Sequence, residues 1–303
     1  MGSATITFPL LGDWAKFNFQ RYFEVMNFKI YWYGIIIAIG FLLAAIYAIK
    51  RSKDFGLTED NILEMLICAV PLGIVFARLF YVVFAASPDG TNKYFENPIE
   101  IFAIRDGGLA IYGGVIGAVL AVFIYSKVRK VNFSSMVDVG GLGLLIGQSV
   151  GRWANFVNRE CFGYETNVPW KMGLTLGEET IYVHPTFLYE SLWNAVGFLA
   201  LHIYSKKGER KYRGQIFVMY LGWYGLGRFF IEGMRTDSLY FFSTGLRISQ
   251  VIGMACLLCS ITIHIIVVLK SRRTSNNTVG TDSSDSGVTG DAVTDIDTPD
   301  DNT

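Results

Sequence analysis

Charge is what this chain has least of. Asp, Glu, Lys and Arg make up 17% of its 303 residues, where a soluble protein carries about a quarter. Histidine is nearly absent: residues 184, 202 and 264 stand at no metal-ligand spacing, so no metal site is expected. Four cysteines are too few and too scattered for a disulfide framework. Cys68, Cys256 and Cys259 lie in apolar runs, Cys161 stands alone in a polar stretch, and Cys256-x-x-Cys259 reads as small apolar residues on a helix. Met1 to Leu11 lacks a basic segment ahead of an apolar core, so no cleavable signal peptide is expected. No basic face stands outside the loops, which argues against a nucleic-acid partner.

The formal net charge of zero hides an asymmetry. Thr274 to Thr303 hold seven Asp, no Lys or Arg and no aromatic residue, which leaves the rest of the chain at +7. Such a segment cannot bury enough apolar surface to offset its ordering entropy. Residues 1–273 are therefore expected to form one integral-membrane unit, and 274–303 a disordered acidic tail.

What is abundant is apolar sequence: 51% of residues, with a mean hydropathy of +0.37. Runs of about 20 mainly apolar residues can cross the hydrocarbon core of a bilayer as helices. Seven are read, at Tyr31–Ile49, Ile62–Ala86, Leu109–Ser126, Met136–Phe156, Thr186–Tyr204, Gly214–Gly233 and Ile248–Leu269. The expected fold is thus an all-α polytopic membrane protein. Fourteen Lys and Arg follow the first, third, fifth and seventh runs, whereas the loops between the others hold six. Cytoplasmic loops carry the basic excess, so the N-terminus is expected outside and the C-terminus in the cytoplasm. Gly113 and Gly117, and Gly143, Gly147 and Gly151, make small-xxx-small rows that let helices approach closely.

Three arginines lie inside these runs: Arg78, Arg152 and Arg228. A charged side chain at mid-membrane costs about 2.5–3.5 kcal/mol on insertion scales and marks function by default. Each lies about 21–24 Å along its helix from the cytoplasmic end, at a rise of 1.5 Å per residue. Tyr33, Tyr112, Glu190 and Asn194 open the outward-starting spans at the same level, and Pro185 after His184 suits a helix start. Tyr224, Arg228 and Glu232 share one helical face, with Arg235 near it. Arg152 and Asn155 are i, i+3 neighbours. The expectation is a net-cationic polar pocket opening outward, suited to the phosphate of a phospholipid headgroup. Singly, each residue has a plainer reading. Arg228 and Glu232 could be a helix pair, Arg78 a structural ion, Tyr33 part of an interfacial belt, and Asp138 and Gln148 helix-packing hydrogen bonders.

The motifs now become specific. Gly151-Arg152-Trp153-Ala154-Asn155-Phe156-Val157-Asn158-Arg159-Glu160-Cys161-Phe162-Gly163 resembles the signature of prolipoprotein diacylglyceryl transferases. Trp32-Tyr33-Gly34, Ala77-Arg78-Leu79, Tyr112-Gly113-Gly114, His184-Pro185-Thr186 with Tyr189-Glu190, and Tyr224-Gly225 with Arg228, Glu232 and Arg235 resemble the same family, in the same order. The similarity spans about residues 20 to 272. It implies a membrane enzyme of the bacterial cytoplasmic membrane with its active site on the outer side and no cofactor. The implied partners are phosphatidylglycerol and a prolipoprotein signal peptide with a lipobox cysteine. The diacylglyceryl group would pass to that thiol, forming a thioether and releasing glycerol phosphate.

In this reading Arg152 holds the phosphate, and Arg228, oriented by Glu232, supports it. Asn155 and Glu160 position the headgroup, and Tyr33 and Gly163 shape the reaction site. Arg78, Asn158, Glu190, Tyr224 and Arg235 complete the expected substrate contacts. Many relatives carry histidine, the usual candidate base, where Tyr112 stands. Tyr112, His184 and Glu232 are the candidates here. Ala154 stands where the signature commonly has glycine. A phospholipid transporter or flippase is the alternative, since intramembrane charges also line transport paths. Against it, the halves show no repeat and the polar groups cluster at one depth.

Overall fold

The computed structural model describes residues 5–12, 14–85, 92–103, 107–208, 210–238, 240 and 245–281. It is mostly helical. The helices are α1 (Trp32–Arg51), α2 (Glu59–Phe84), the short α3 (Lys93–Glu96), α4 (Ile111–Val128), α5 (Phe133–Asn158), α6 (Thr186–Lys206), α7 (Gln215–Glu232) and α8 (Ile248–Thr281). Each of the seven apolar runs falls on one long helix. Among the described residues, five stretches are long and apolar enough to cross a membrane: Trp32–Phe55, Glu59–Phe84, Ile111–Val128, Phe133–Asn158 and Ile248–Lys270. Helices α6 and α7 have the length but are more polar, carrying Glu190 and Asn194, and Arg228 and Glu232, within them.

The chain forms two compact units, Met1–Ile261 and Thr262–Thr303. In the second, the described residues are helical as far as Thr281, eight residues into the segment expected to be a disordered tail. The rest of that segment lies outside the described residues, as does Ala86 at the end of the second apolar run.

The all-α expectation needs correction. Strands β1 (Thr5–Thr7), β2 (Lys16–Phe17), β5 (Met172–Leu176) and β6 (Glu179–Val183) form an antiparallel sheet in the order β2-β1-β5-β6. Strands β3 (Tyr22–Val25) and β4 (Phe28–Tyr31) form a hairpin immediately before α1. Two-residue hairpin turns need positive φ. Met26 and Asn27 supply it between β3 and β4, at 48° and 67°, and Gly177 between β5 and β6, at 65°. Strands of two to five residues leave too short an alternation to compete with the apolar helical runs. The larger sheet buries Ile6, Met172, Leu174 and Val183 against Phe156 at the end of α5 and Phe187 at the start of α6. It therefore covers the helix ends on which the site is built.

Close approaches set the helix positions. A Cβ at Gly117 would lie 2.6 Å from Phe76 Cβ, so the small residue lets α4 seat on α2. Asp138 on α5 accepts the backbone N–H groups of Gly214 at 2.8 Å and Phe217 at 2.9 Å. A carboxylate satisfies the free donors at the start of α7 and suits the helix dipole there. Gln148 donates to the Tyr220 hydroxyl at 2.9 Å, ten residues further along α5. Between α6 and α7, Trp193 and Trp223 stack with centroids 4.4 Å apart, and each indole donates to the other's backbone carbonyl. These bonds fix the register of three helices. Arg152, Glu190 and Arg228 are placed by that register.

Candidate active site

Glu190, in the second turn of α6, is the centre of the polar cluster. Its carboxylate is 6% exposed and is ion-paired to Arg152 of α5, to Arg228 of α7 at 3.3 Å, and to Arg235 just beyond α7 at 3.6 Å. Glu232, one helical turn beyond Arg228, pairs with it at 2.9 Å and lies 3.9 Å from Arg235. Arg235 in turn makes a two-pronged contact with Asp237, at 3.0 and 2.9 Å. The expected pocket was net-cationic. Instead the arginines are interleaved with carboxylates, because buried guanidinium groups are tolerated only when paired.

A second string of bonds runs from Arg152 along the signature segment. Arg152 donates to the Asn155 side-chain oxygen at 3.2 Å, and Asn155 donates to Glu160 at 2.9 Å. Asn158 reaches the same Glu160 oxygen at 3.5 Å. Arg159, with φ of 56°, ends α5 and turns the chain so that Glu160 folds back over Asn155. Tyr33, in the first turn of α1, feels the charges of Glu160 and Arg152. Tyr224 feels those of Arg228 and Glu190 and lies within electrostatic reach of Tyr112.

Gly163 is where three backbone segments meet. Its N–H donates to the carbonyl of His184 at 3.0 Å, and it bridges Arg235 across an isolated antiparallel pair. An added Cβ would sit 2.7 Å from His184 Cβ and 2.9 Å from the Met234 carbonyl. Any side chain here would push apart the segments that hold Glu160, His184 and Arg235. Burial drives the thiol of the adjacent Cys161 up to about 12, although Arg235 opposes the shift. Burial also acts against the Asp237 carboxylate, but the Arg235 hydrogen bonds and charge outweigh it and hold Asp237 below the usual carboxylate range.

Residues 20–266 match the family model described as prolipoprotein diacylglyceryl transferase. A phosphatidylglycerol–prolipoprotein diacylglyceryl transferase of Clostridioides difficile (strain 630) is 43% identical over 255 residues, covering 84% of this chain and 96% of that protein. The protein of that name from Finegoldia magna is 42% identical over 243 residues, covering 80% and 93%. One from Bacillus cereus (strain G9842) is 44% identical over 248 residues, covering 79% and 88%. The chain belongs to the prolipoprotein diacylglyceryl transferase family. It is an enzyme of the transferase class, and its apolar helices make it a membrane protein.

Not every expected site residue of this transferase joins the cluster. Arg152, Asn155, Asn158, Glu160, Glu190, Arg228, Glu232 and Arg235 are linked by the contacts above. Arg78 is engaged elsewhere. Its guanidinium donates to the backbone carbonyls of Glu100, Ile101, Ala103, Gly107 and Gly108, at 2.7 to 3.3 Å. Gly107 and Gly108, at φ of 89° and 77°, turn their carbonyls toward it. Its similar depth on α2 therefore reflects an anchor for the chain between α2 and α4. His184 faces Tyr189, whose hydroxyl lies 3.1 Å from Nδ1 and also accepts from Trp170 at 2.7 Å.

Three residues of the network were not singled out from sequence: Asp237, Arg247 and Tyr164. Arg247 donates to the backbone carbonyl of Glu232 and, at 2.6 Å, to the Tyr164 hydroxyl. It lies between α7 and α8 and reads in sequence as an ordinary loop charge. The Arg235-x-Asp237 spacing was the one available signal, since two residues allow a fork to reach back.

Proposed function

We propose that the Glu190-centred network is the headgroup site at which this transferase moves the diacylglyceryl group of phosphatidylglycerol to the lipobox cysteine of a prolipoprotein. The observation that carries this reading is the grouping of three guanidinium groups around one buried carboxylate. Among the described residues, Arg228 Nε is buried without an acceptor. Buried donors are almost always satisfied, so a spare donor in an arginine cluster suits a phosphate oxygen.

The chemistry follows from the charges. The lipobox thiol, with an ordinary pKa near 8.5, attacks as a thiolate. Its sulfur bonds the glyceryl carbon that carries the phosphate, and the carbon–oxygen bond to that phosphate breaks. The bonding pair leaves with glycerol phosphate, and the thiol proton passes to a base. Arg152 and Arg228 stabilise the charge where it develops on the departing phosphate, and Glu190 holds both forks in place before lipid arrives. Asn155 and Asn158, tied to Glu160, orient the glycerol. Tyr33, Tyr112, Tyr224 and Gly163 shape the approach. Tyr112, His184 and Glu232 are the candidate bases, and of these Glu232 is directly ion-paired to the cluster.

All seven long helices cross the bilayer in this reading, with the N-terminus outside and the C-terminus inside. The site then lies on the outer side of the bacterial cytoplasmic membrane, where lipid and signal peptide both reach it. Purified protein, labelled phosphatidylglycerol and a lipobox peptide test the activity. Thioether product with release of glycerol phosphate is expected. Lipid movement across a vesicle without product would favour a transporter instead.

A further inference from the structure

The hairpin that leads into α1 sorts its side chains by face. Strands β3 and β4 pair Tyr22 with Tyr31, Phe23 with Ile30, Glu24 with Lys29 and Val25 with Phe28. Directly paired residues share a face, and successive residues alternate between faces. One face is therefore Phe23, Val25, Phe28 and Ile30, without a polar side chain. The other is Tyr22, Glu24, Lys29 and Tyr31. There the Tyr22 and Tyr31 rings lie 5.5 Å apart, and the Lys29 ammonium stands 4.9 Å from the Tyr22 centroid.

The apolar face has little protein against it. Phe28 is 73% exposed and Met26, at the turn, 90%; Val25 and Ile30 are exposed as well. A lone two-stranded hairpin is marginal in water and needs its apolar face covered. What covers it follows from where the hairpin is tied. Strand β4 ends at Tyr31 and α1 starts at Trp32, with no linker between them. The Trp32 N–H donates to the Arg21 carbonyl at 3.1 Å and closes the hairpin's base onto the helix. Strands of four residues, at about 3.3 Å each, keep the tip within about 13 Å of that base. Phe23 packs on Trp32, with ring centroids 5.1 Å apart. Trp32, Ile39, Leu43 and Ile46 recur at helical spacing on one side of α1, and all four are exposed. The apolar face of the hairpin thus joins the apolar surface that α1 offers to lipid.

We infer that the β3–β4 hairpin lies in the lipid interface at the start of α1, its apolar face on acyl chains and its Glu24–Lys29 face toward headgroups and water. This rests on the reading above in which α1 crosses the bilayer. The hairpin stops at the interface because each strand of a two-stranded ribbon has an outer edge of backbone groups, which hydrocarbon does not tolerate. An amphipathic segment at this level buries its apolar side about 5–10 Å into the boundary between headgroups and acyl chains. Tyr22 and Tyr31 then stand where interfacial aromatic residues gather. Tyr33, two residues beyond β4, is thereby held at headgroup level.

Photocrosslinking of the full-length protein in vesicles of phosphatidylglycerol and phosphatidylcholine tests this. Benzoylphenylalanine is placed singly at Val25 or Phe28 on the apolar face, and at Glu24 or Lys29 on the polar one. All four positions are exposed, so the probe enters without disturbing a packed core. Ultraviolet light joins it to nearby C–H bonds, and mass spectrometry reads the adducts. Val25 and Phe28 are expected to give acyl-chain adducts, and Glu24 and Lys29 only background. Equal lipid adducts from both faces, or none from the apolar face, overturn the inference. A crosslinked dimer from Val25 or Phe28 gives that face to a second copy of the chain and overturns it too. So does a link to added lipobox peptide in place of lipid. No readout here depends on diacylglyceryl transfer, so an inactive protein would leave the result unchanged.

Discussion

Glu190 on α6 and Arg228 on α7 face one another at 3.3 Å, and a stacked tryptophan pair, Trp193 and Trp223, stands near them on the same two helices. Trp193 and Trp223 lock the two helices by reciprocal hydrogen bonds to backbone carbonyls, so carboxylate and guanidinium meet without having to find each other. Glu190→Gln keeps the shape and removes the charge, leaving Arg152, Arg228 and Arg235 short of their common partner. Transfer is expected to fall by about 100-fold, the size of losing one donor to a developing charge, because the guanidinium groups lose the carboxylate that orients them. A transfer assay with a parallel thermal-unfolding measurement separates lost geometry from lost fold. Activity within threefold of the parent would contradict the central place given to Glu190.

Arg152 is expected to be intolerant even of lysine. A planar fork can grip a carboxylate and a phosphate together, and an ammonium cannot reproduce that geometry. Arg152→Lys should retain at most a few per cent of the turnover, read from thioether formation. Near-parental turnover would show that only the charge matters.

Arg78 makes the opposite prediction. Its guanidinium is bonded to five backbone carbonyls of the segment after α2. Arg78→Ala should lower the unfolding temperature while the folded fraction binds labelled phosphatidylglycerol as before. A tenfold loss of lipid affinity at unchanged stability would return Arg78 to the headgroup site.

The Cys161 thiol, pushed up to about 12 by burial, stays protonated at neutral pH. It should resist alkylation in the folded protein at pH 7–8, as read by mass spectrometry, and Cys161→Ser should keep transferring. Rapid labelling would contradict the burial argument. Asp237 gives a pH dependence of the other sign. A carboxylate held below its ordinary pKa by Arg235 adds stability that is complete above the ordinary aspartate value, about 3.9. That stability is lost as pH falls through the lower folded value. Asp237→Asn should therefore narrow the stability difference between pH 6 and pH 3.

How much could be read beforehand depends on the kind of constraint. Helix positions were legible because the bilayer demands long apolar runs, and α1 at Trp32–Arg51 and α6 at Thr186–Lys206 fall within a few residues of expectation. The i, i+4 spacing of Arg228 and Glu232 gave their pairing directly. Contacts between distant segments were not legible. Depth alone grouped Arg78 with Arg152, whereas the carbonyls that occupy Arg78 come from residues 100–108, whose folding no periodicity announces. The strands were missed for a similar reason. Thr5–Thr7 is stabilised by Gly173–Thr175, which is far away in sequence. Arg247 read as loop charge because its partner is a backbone carbonyl at Glu232, and carbonyls leave no mark on composition.

Tyr112 carries the question of the base. It opens α4, lies within electrostatic reach of Tyr224, and is 36% exposed. We expect it to contact the headgroup. Tyr112→Phe should weaken lipid binding and leave turnover at saturating lipid mostly intact. A dead Phe variant with unchanged lipid affinity would make Tyr112 the base.

The most direct measurement is product formation by purified enzyme with labelled phosphatidylglycerol and a lipobox peptide, comparing the parent with Glu190→Gln and Arg228→Ala. The account predicts thioether-linked diacylglyceryl peptide and glycerol phosphate in equal amounts from the parent, and almost none from either variant while both remain folded. Undiminished product from both variants would contradict the assignment of the Glu190-centred network as the site of transfer.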